Sequence, residues 1–152
     1  MVSRQQRPAK ARETTLIGFV KAPAGITVML PDFVYKIVSL DEWDDAMEKG
    51  EFHGAEIDLK DGYIHFSTAA QVAETAQKHF SGRDDLMIVK VATAPDARHY
   101  KMEPSRGGAL FPHLYAPLPV SSAAWWQELP LGANGKHSFP EEMVEDMADE
   151  KR

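Results

Sequence analysis

Twice in this sequence, a short run of β-branched and aromatic residues leads directly into a helix capping box. The two places are residues 33–38 followed by Ser39 and Glu42, and residues 63–67 followed by Thr68 and Gln71. Ser or Thr followed three positions later by Glu or Gln starts a helix, because each side chain accepts a hydrogen bond from a backbone N–H of the first turn. Strands are therefore predicted over both runs, and helices over residues 40–49 and 69–80, each followed by a glycine stop.

Further strands are predicted beyond the second helix. Residues 86–93 are apolar on both faces, which is typical of a central strand, and residues 100–103 form a shorter one. Residues 111–115 are expected to be an edge or irregular extended segment, because the prolines around them suit an edge. These elements predict an α+β fold with a mixed sheet and two main helices.

The end of the chain is predicted to contain a hairpin. Asn134-Gly135 is a turn signal between residues 125–131 and 137–139, although a helix over residues 122–129 is an open alternative. The last segment, residues 141–152, carries six acids and two bases and is expected to be an acidic tail, either a frayed helix or disordered.

Composition and charge indicate one small globular domain. The chain has 152 residues, of which 43% are apolar, and it has no cysteine; disulfides and thiolate sites are therefore excluded. Residues 1–31 carry five bases and one acid within a net charge of −6. We predict a basic, disordered extension over residues 1–31, a domain over residues 32–140, and no binding of nucleic acid by this acidic domain.

A cytoplasmic location is predicted. The longest apolar run of the extension, residues 16–20, is shorter than the ~7 residues that a secretory signal needs. No run approaches the ~18 apolar residues of a membrane span. Met29 stands just before the first predicted strand, so residues 1–28 are expected to add nothing to the core.

The strongest chemical signal is the strand that ends at the second capping box. Alternation places His65 and Ser67 on one face, and Ile64 and Phe66 on the other, apolar face. The N-terminus of a helix offers free N–H groups to an anion such as phosphate. His65 and Ser67 are therefore candidate ligand-binding residues, while Thr68 and Gln71 also serve as helix caps.

Glu103 and His113 are two further candidates on later strands. Taken alone, each is more often a structural residue, and only their convergence with His65 would define a site. No two histidines have the close spacing that zinc sites usually show, and the sequence has no Walker A loop, nucleophile elbow or dinucleotide fingerprint. We therefore expect no bound metal.

The sequence resembles a known bacterial family over more than two thirds of its length, from about Val34 to Pro140. The matching segments are DGYIHFST at residues 61–68, Gln71, Met102-Glu103, and FPHLYAPL at residues 111–118. They resemble the "domain of unknown function 952" family. This chain has Tyr63 where that family usually has Phe and Ala116 where it usually has Gly, and neither change removes a polar candidate.

The resemblance implies an ADP-ribosyltransferase-like split sheet with a nucleotide cleft, because the family is sometimes grouped with that fold. By that resemblance, His65 orients the ribose of NAD, with Ser67 or Thr68 assisting. Glu103 then stabilises a developing oxocarbenium ion or orients the acceptor. The implied binding set is completed by the side chains of Gln71, His113 and Tyr115.

Two other functions stay open at the level of sequence. One is a non-catalytic module that recognises a small molecule or a protein with the same cleft. The other is a phosphotransferase or hydrolase that uses His65 and His113 on a phosphorylated substrate. Transfer of ADP-ribose requires Glu103 to share a cleft with His65, whereas a binding module does not.

Overall fold

The computed structural model describes residues 19–22 and 26–150. Within these ranges the helices are α1 (Leu40–Lys49), α2 (Glu56–Asp61), α3 (Val72–His79) and α4 (Glu141–Glu150). The strands are β1 (Phe19–Lys21), β2 (Thr27–Met29), β3 (Phe33–Ser39), β4 (Glu51–Phe52), β5 (Ile64–His65), β6 (Leu86–Ala92), β7 (Tyr100–Pro104), β8 (Leu110–Leu114), β9 (Leu118–Pro119) and β10 (Ala123–Glu128). The small α+β domain predicted from the sequence is confirmed.

The main sheet has the order β10–β6–β3, so the most apolar strand is central, as predicted. Antiparallel pairing sets Ile37 opposite Ile88 and Trp126 opposite Val89. All strand pairs of the described residues are antiparallel, where we expected a mixed sheet. The helical alternative for residues 122–129 is wrong, because Trp126 and its neighbours continue the sheet.

A second sheet, with the order β5–β8–β7, carries the segments with polar candidates. The two sheets meet at one antiparallel bridge between Tyr35 and Ser67, where each N–H donates to the other's carbonyl at 2.8 and 2.9 Å. β8 is the middle strand, so the edge position expected for residues 111–115 is wrong. The missing donor of Pro112 is tolerated because it faces β5, which ends at His65, and the Pro112 carbonyl accepts from Phe66 N–H.

The two capping boxes form to different extents. Ser39 and Glu42 make both hydrogen bonds of the box, and α1 ends at Gly50 with φ of 86°. At the second box Gln71 Oε1 accepts from Thr68 N–H at 3.0 Å, but Thr68 Oγ1 is buried without a partner. A turn over residues 69–71 therefore precedes α3, which starts three positions later than predicted.

Both ends of the described chain contribute to the core, contrary to expectation. Val20, in β1, is buried in the main cluster, and Leu30 is buried just before β3. Residues 1–18 and 23–25, also part of the expected disordered extension, lie outside the described residues. At the other end, the acidic tail forms α4, which agrees with the helical form expected for it, but the helix docks on the main sheet through Met143, whose side chain is completely buried.

The predicted turn at Asn134-Gly135 is present but closes only a single bridge, between Leu131 and His137. β10 instead pairs with β6. No helix among residues 19–22 and 26–150 is long and apolar enough to cross a membrane.

Candidate functional site

Two histidines lie side by side at the centre of the second sheet. The register of β5 and β8 sets His65 directly opposite His113, and their ring centroids are 5.2 Å apart at 70°. Tyr63 stacks on His113 with a centroid distance of 4.2 Å. As the strand alternation predicted, Ile64 and Phe66 point the other way into the core. The two imidazoles therefore form a fixed pair.

The histidine pair borders a cleft of about 580 Å³. This volume falls within the range of about 300–1,000 Å³ that small-molecule sites occupy. The cleft is walled by α3, the first turn of α2, β3 and β8, with a mixed polar and apolar lining. The residues that matter most are His65, Ser67, His113, Ile57, Phe80, Arg83 and Phe111.

Glu103 forms a hydrogen bond with the His113 ring but does not line the cleft. Its Oε1 lies 2.7 Å from His113 Nδ1 and accepts a second hydrogen bond, at 2.7 Å, from Tyr115 Oη. Burial raises the pKa of Glu103, but the hydrogen bonds from His113 and Tyr115 lower it below its usual range overall. Because a carboxylate only accepts, His113 carries its hydrogen on Nδ1.

The other ring nitrogen of His113 is available to a ligand. Burial lowers the pKa of His113 below its usual range, although Glu103 opposes this shift; the ring is therefore neutral at pH 7. Among the described residues, the side-chain hydrogen bond of His113 is the one through Nδ1, and the side chain is only 3% exposed. Since His113 lines the cleft, Nε2 is placed to accept a proton or hydrogen bond there.

His65 is held in a similar way by Asp58. His65 Nδ1 lies 2.6 Å from Asp58 Oδ1, and the His65 backbone N–H donates to the same oxygen at 3.0 Å. Asp58 Oδ2 accepts from Ala55 N–H at 2.8 Å and lies 2.9 Å from Lys36 Nζ. On the other side of the ring, His65 Nε2 lies 3.0 Å from Oδ2 of the exposed Asp61.

The surroundings of Asp58 keep it ionised. Burial opposes the charge, yet the hydrogen bond from His65 and the charge of Lys36 lower the pKa of Asp58 to about 2. A charged Asp58 cannot donate, so His65 carries a hydrogen on Nδ1. Both imidazoles are thus fixed by carboxylates through the same nitrogen.

The structure brings together only part of the predicted site. Ser67 lines the cleft, with its Oγ 2.9 Å from Thr75 Oγ1. Glu103 is not a lining residue of this cleft, because its carboxylate is turned to His113 and Tyr115. Tyr115 accordingly lies on the far side of the histidine pair.

Thr68 and Gln71 are also outside the lining. Gln71 uses both ends of its amide, accepting from Thr68 N–H and donating from Nε2 to the Leu110 carbonyl at 2.8 Å. These two residues therefore hold the start of α3 against β8 and do not reach the cleft.

Sequence reasoning missed Lys36, Asp58 and Tyr63 as parts of the site. Lys36 carried a signal, since a lysine at the apolar positions of β3 requires a buried partner. Asp58 could not be chosen among the many carboxylates, because its contacts join residues distant in sequence. The part of the chain that the structure describes has no group of three or more His, Cys, Asp or Glu arranged to hold a metal ion.

The fold and the paired histidines define a small α+β domain with a ligand-sized cleft beside two carboxylate-bound imidazoles. The family model "Protein of unknown function (DUF952)" matches residues 37–126, and the chain belongs to this family. No curated protein matched.

Solved structures give the same assignment. The crystal structure of protein CC0527 from Caulobacter crescentus is 43% identical, covers 74% of this chain and 98% of its own, and has a TM-score of 0.70. The solution NMR structure of CC0527 is 45% identical, with coverage of 70% and 91% and a TM-score of 0.63.

Proposed function

We propose that the cleft binds NAD or a related nucleotide, with His65 and His113 contacting the ribose or phosphates. The observation that carries the proposal is the pair of imidazoles, each fixed at Nδ1 by a carboxylate, beside a cleft of about 580 Å³. Fixed polar groups in a cleft orient a small ligand. We also propose that this binding takes place in the cytoplasm.

The lining supports a nucleotide over a smaller anion. Ile57, Phe80 and Phe111 offer an apolar surface for a base, and aromatic rings stack well on flat heterocycles. Arg83 also lines the cleft; its guanidinium donates to Asp85 at 3.0 and 2.8 Å, and a phosphate would have to share it with that carboxylate. Ser67 offers a hydroxyl for hydrogen bonding.

Transfer of ADP-ribose is the reaction that we propose for this site. The bond between nicotinamide and C1′ of the ribose breaks, and an acceptor bonds to C1′ as nicotinamide leaves. His113 Nε2 is available to take the acceptor's proton. Glu103 then acts through His113 as a positioning residue, since its carboxylate is turned away from the cleft.

Thermal shift with NAD, ADP-ribose and AMP tests binding. A ligand at about 100 times its Kd stabilises the fold by about 2.7 kcal/mol, a shift of several degrees for a domain of this size. His65→Ala and His113→Ala should lose the shift, whereas His99→Ala, which changes a histidine outside the cleft lining, should keep it. Absence of any nucleotide shift, or a shift that survives both cleft variants, contradicts the proposal.

Release of nicotinamide separates transfer from simple binding. The wild-type protein should release nicotinamide from NAD in the presence of an acceptor, and His113→Ala should not. Binding without release, in the presence of a range of acceptors, would leave a non-catalytic nucleotide-binding module.

A second candidate function is hydrolysis or transfer of a phosphoryl group through His65 and His113. It is favoured by the contact between the two rings, which allows one imidazole to accept a proton while the other donates. Such a pair gives a bell-shaped dependence of kcat/KM on pH. Hydrolysis of bis-p-nitrophenyl phosphate with that profile, lost in either histidine variant, would select this function; no hydrolysis would exclude it for simple phosphodiesters.

A further inference from the structure

Lys36 occupies an unusual place for a charged residue. It lies in β3, where alternation puts it on the same face as Val34 and Val38, both part of the main core. Only 7% of its surface is exposed. Its Nζ lies 2.9 and 3.1 Å from the two carboxylate oxygens of Asp58. The sheet therefore contains a buried ion pair.

Stability alone is a weak reason for such a pair. Burying two charges removes their hydration, so replacing a buried ion pair by apolar residues often leaves a protein as stable or more so. The remaining contacts of Asp58 go to Ala55 N–H and to two atoms of His65. The ion pair is thus connected directly to one of the two cleft histidines.

We propose that Lys36 is a positioning residue for His65, which acts through Asp58 to set how many protons the His65 ring carries. The importance of this role for binding rests on the proposed function of the cleft, but the first test of the role needs no ligand. Lys36 balances the charge of Asp58, so this carboxylate does not depend on His65 alone for a positive partner.

Loss of the Lys36 charge has a defined consequence. The buried Asp58 carboxylate then needs another positive charge, and the His65 ring, 2.6 Å away, is the neighbour that can supply it by taking a second proton. The other charged or titratable groups around this ring are Tyr63 just before β5, Asp61 from the end of α2, His113 from β8, and Glu103 behind His113. None of these is changed in the variants below.

Imidazole ¹⁵N NMR of the full chain tests the inference, because the shifts of the two ring nitrogens report which of them is protonated. Lys36→Gln keeps a hydrogen-bond donor for Asp58 and removes only the charge. At a fixed pH near 7, the ratio of doubly to singly protonated His65 should rise about tenfold, equivalent to one pH unit. Lys36→Arg retains the charge and should keep the wild-type ratio.

A matched control lies on the neighbouring strand. Lys90 pairs with Asp146 at 3.1 Å and is also largely buried, so Lys90→Gln makes the same chemical change away from His65. It should leave the His65 shifts unchanged. Wild-type His65 shifts in folded Lys36→Gln, or an equal response in Lys90→Gln, would overturn the proposal.

Asp58→Asn should change the protonation of His65 in the opposite direction. This variant tests the proposal even if Lys36→Gln does not fold. With the carboxylate removed and Lys36 retained, the doubly protonated fraction of His65 should fall below the wild-type fraction. An unchanged or larger fraction contradicts the proposal.

AMP binding to the same variants connects the ion pair to the cleft. Folded Lys36→Gln should differ from the wild type in AMP affinity by at least severalfold at the pH of the NMR test, and Lys36→Arg should match the wild type. If the ¹⁵N response appears but the wild type binds no nucleotide, the proposed function fails and the role of Lys36 stands. If the wild type binds a nucleotide but the ¹⁵N shifts of His65 do not change in Lys36→Gln, the role of Lys36 fails and the proposed function stands.

Discussion

Glu103 Oε1 and His113 Nδ1 lie 2.7 Å apart, and this contact turns the carboxylate away from the cleft and onto the back of an imidazole. Glu103 was expected to contact a ligand directly, but the His113 ring lies between its carboxylate and the cleft. The same oxygen also accepts from Tyr115 Oη. The position of the His113 ring thus depends on a carboxylate from the neighbouring strand.

Replacement of Glu103 should therefore act through His113. Glu103 raises the pKa of His113 against the effect of burial, so Glu103→Ala should lower that pKa further. Turnover should fall at least tenfold while nucleotide binding changes little. An NMR titration of His113 and a comparison of kcat with KM measure the two effects, and Glu103→Gln, which keeps an acceptor for Nδ1, is the matched control. Full turnover in Glu103→Ala would exclude the positioning role.

Asp58 should make the unfolding free energy depend on pH in the acid range. Its folded pKa of about 2 is below the ordinary value of 3.8, so its contribution is fully present above about pH 4 and is lost as the pH falls toward 2. The difference corresponds to about 2 kcal/mol of unfolding free energy. Urea unfolding at pH 7, 4 and 2.5 measures it; Asp58→Asn should show a shallower fall over the acid range, and equal slopes in both proteins would contradict the assignment.

Met143 should anchor α4 to the main sheet. Its side chain is completely buried, whereas that of its neighbour Val144 is 52% exposed. Met143→Ala should lower the unfolding free energy by about 2–5 kcal/mol, through lost contacts and the cavity left behind. Val144→Ala should change it by less than about 0.5 kcal/mol. Equal small losses in urea unfolding would mean that α4 does not pack as described.

Asp61 should compete with an anionic ligand for His65. Its carboxylate lies 3.0 Å from Nε2 of that ring, on the nitrogen that Asp58 leaves unoccupied. Asp61→Asn should strengthen AMP binding by up to about fivefold, since a partly exposed ion pair is worth at most about 1 kcal/mol. Asp45→Asn, which removes a carboxylate from the exposed face of α1, should leave the affinity measured by calorimetry unchanged. Weaker binding in Asp61→Asn would show that Asp61 assists the ligand.

Local patterns predicted those parts of the fold that depend on neighbours in sequence. The capping box at Ser39 and Glu42 formed as expected, and alternation assigned the faces of His65 and Ser67 correctly. In each case the interactions that decide the structure lie within a few residues, or follow from keeping Ile64 in the core.

Pairing between distant strands explains most of what the sequence did not reveal. His113 was expected near an edge, but β8 accepts partners on both sides because the missing N–H of Pro112 faces the end of β5. The partners of Lys36 and Glu103 likewise come from other elements, and no local pattern distinguishes them from surface residues. The docking of α4 through Met143 was not predicted, because the segment around it is acidic. A helix with many acids can still pack on a sheet through one apolar face.

The bridge between Tyr35 and Ser67 has a consequence for how the cleft can behave. Both residues line the cleft, and their two backbone hydrogen bonds fasten one sheet to the other at that point. At this place the lining of the cleft is also the junction of the two sheets. The amide of Ser67 should therefore exchange its hydrogen with solvent only when that junction opens.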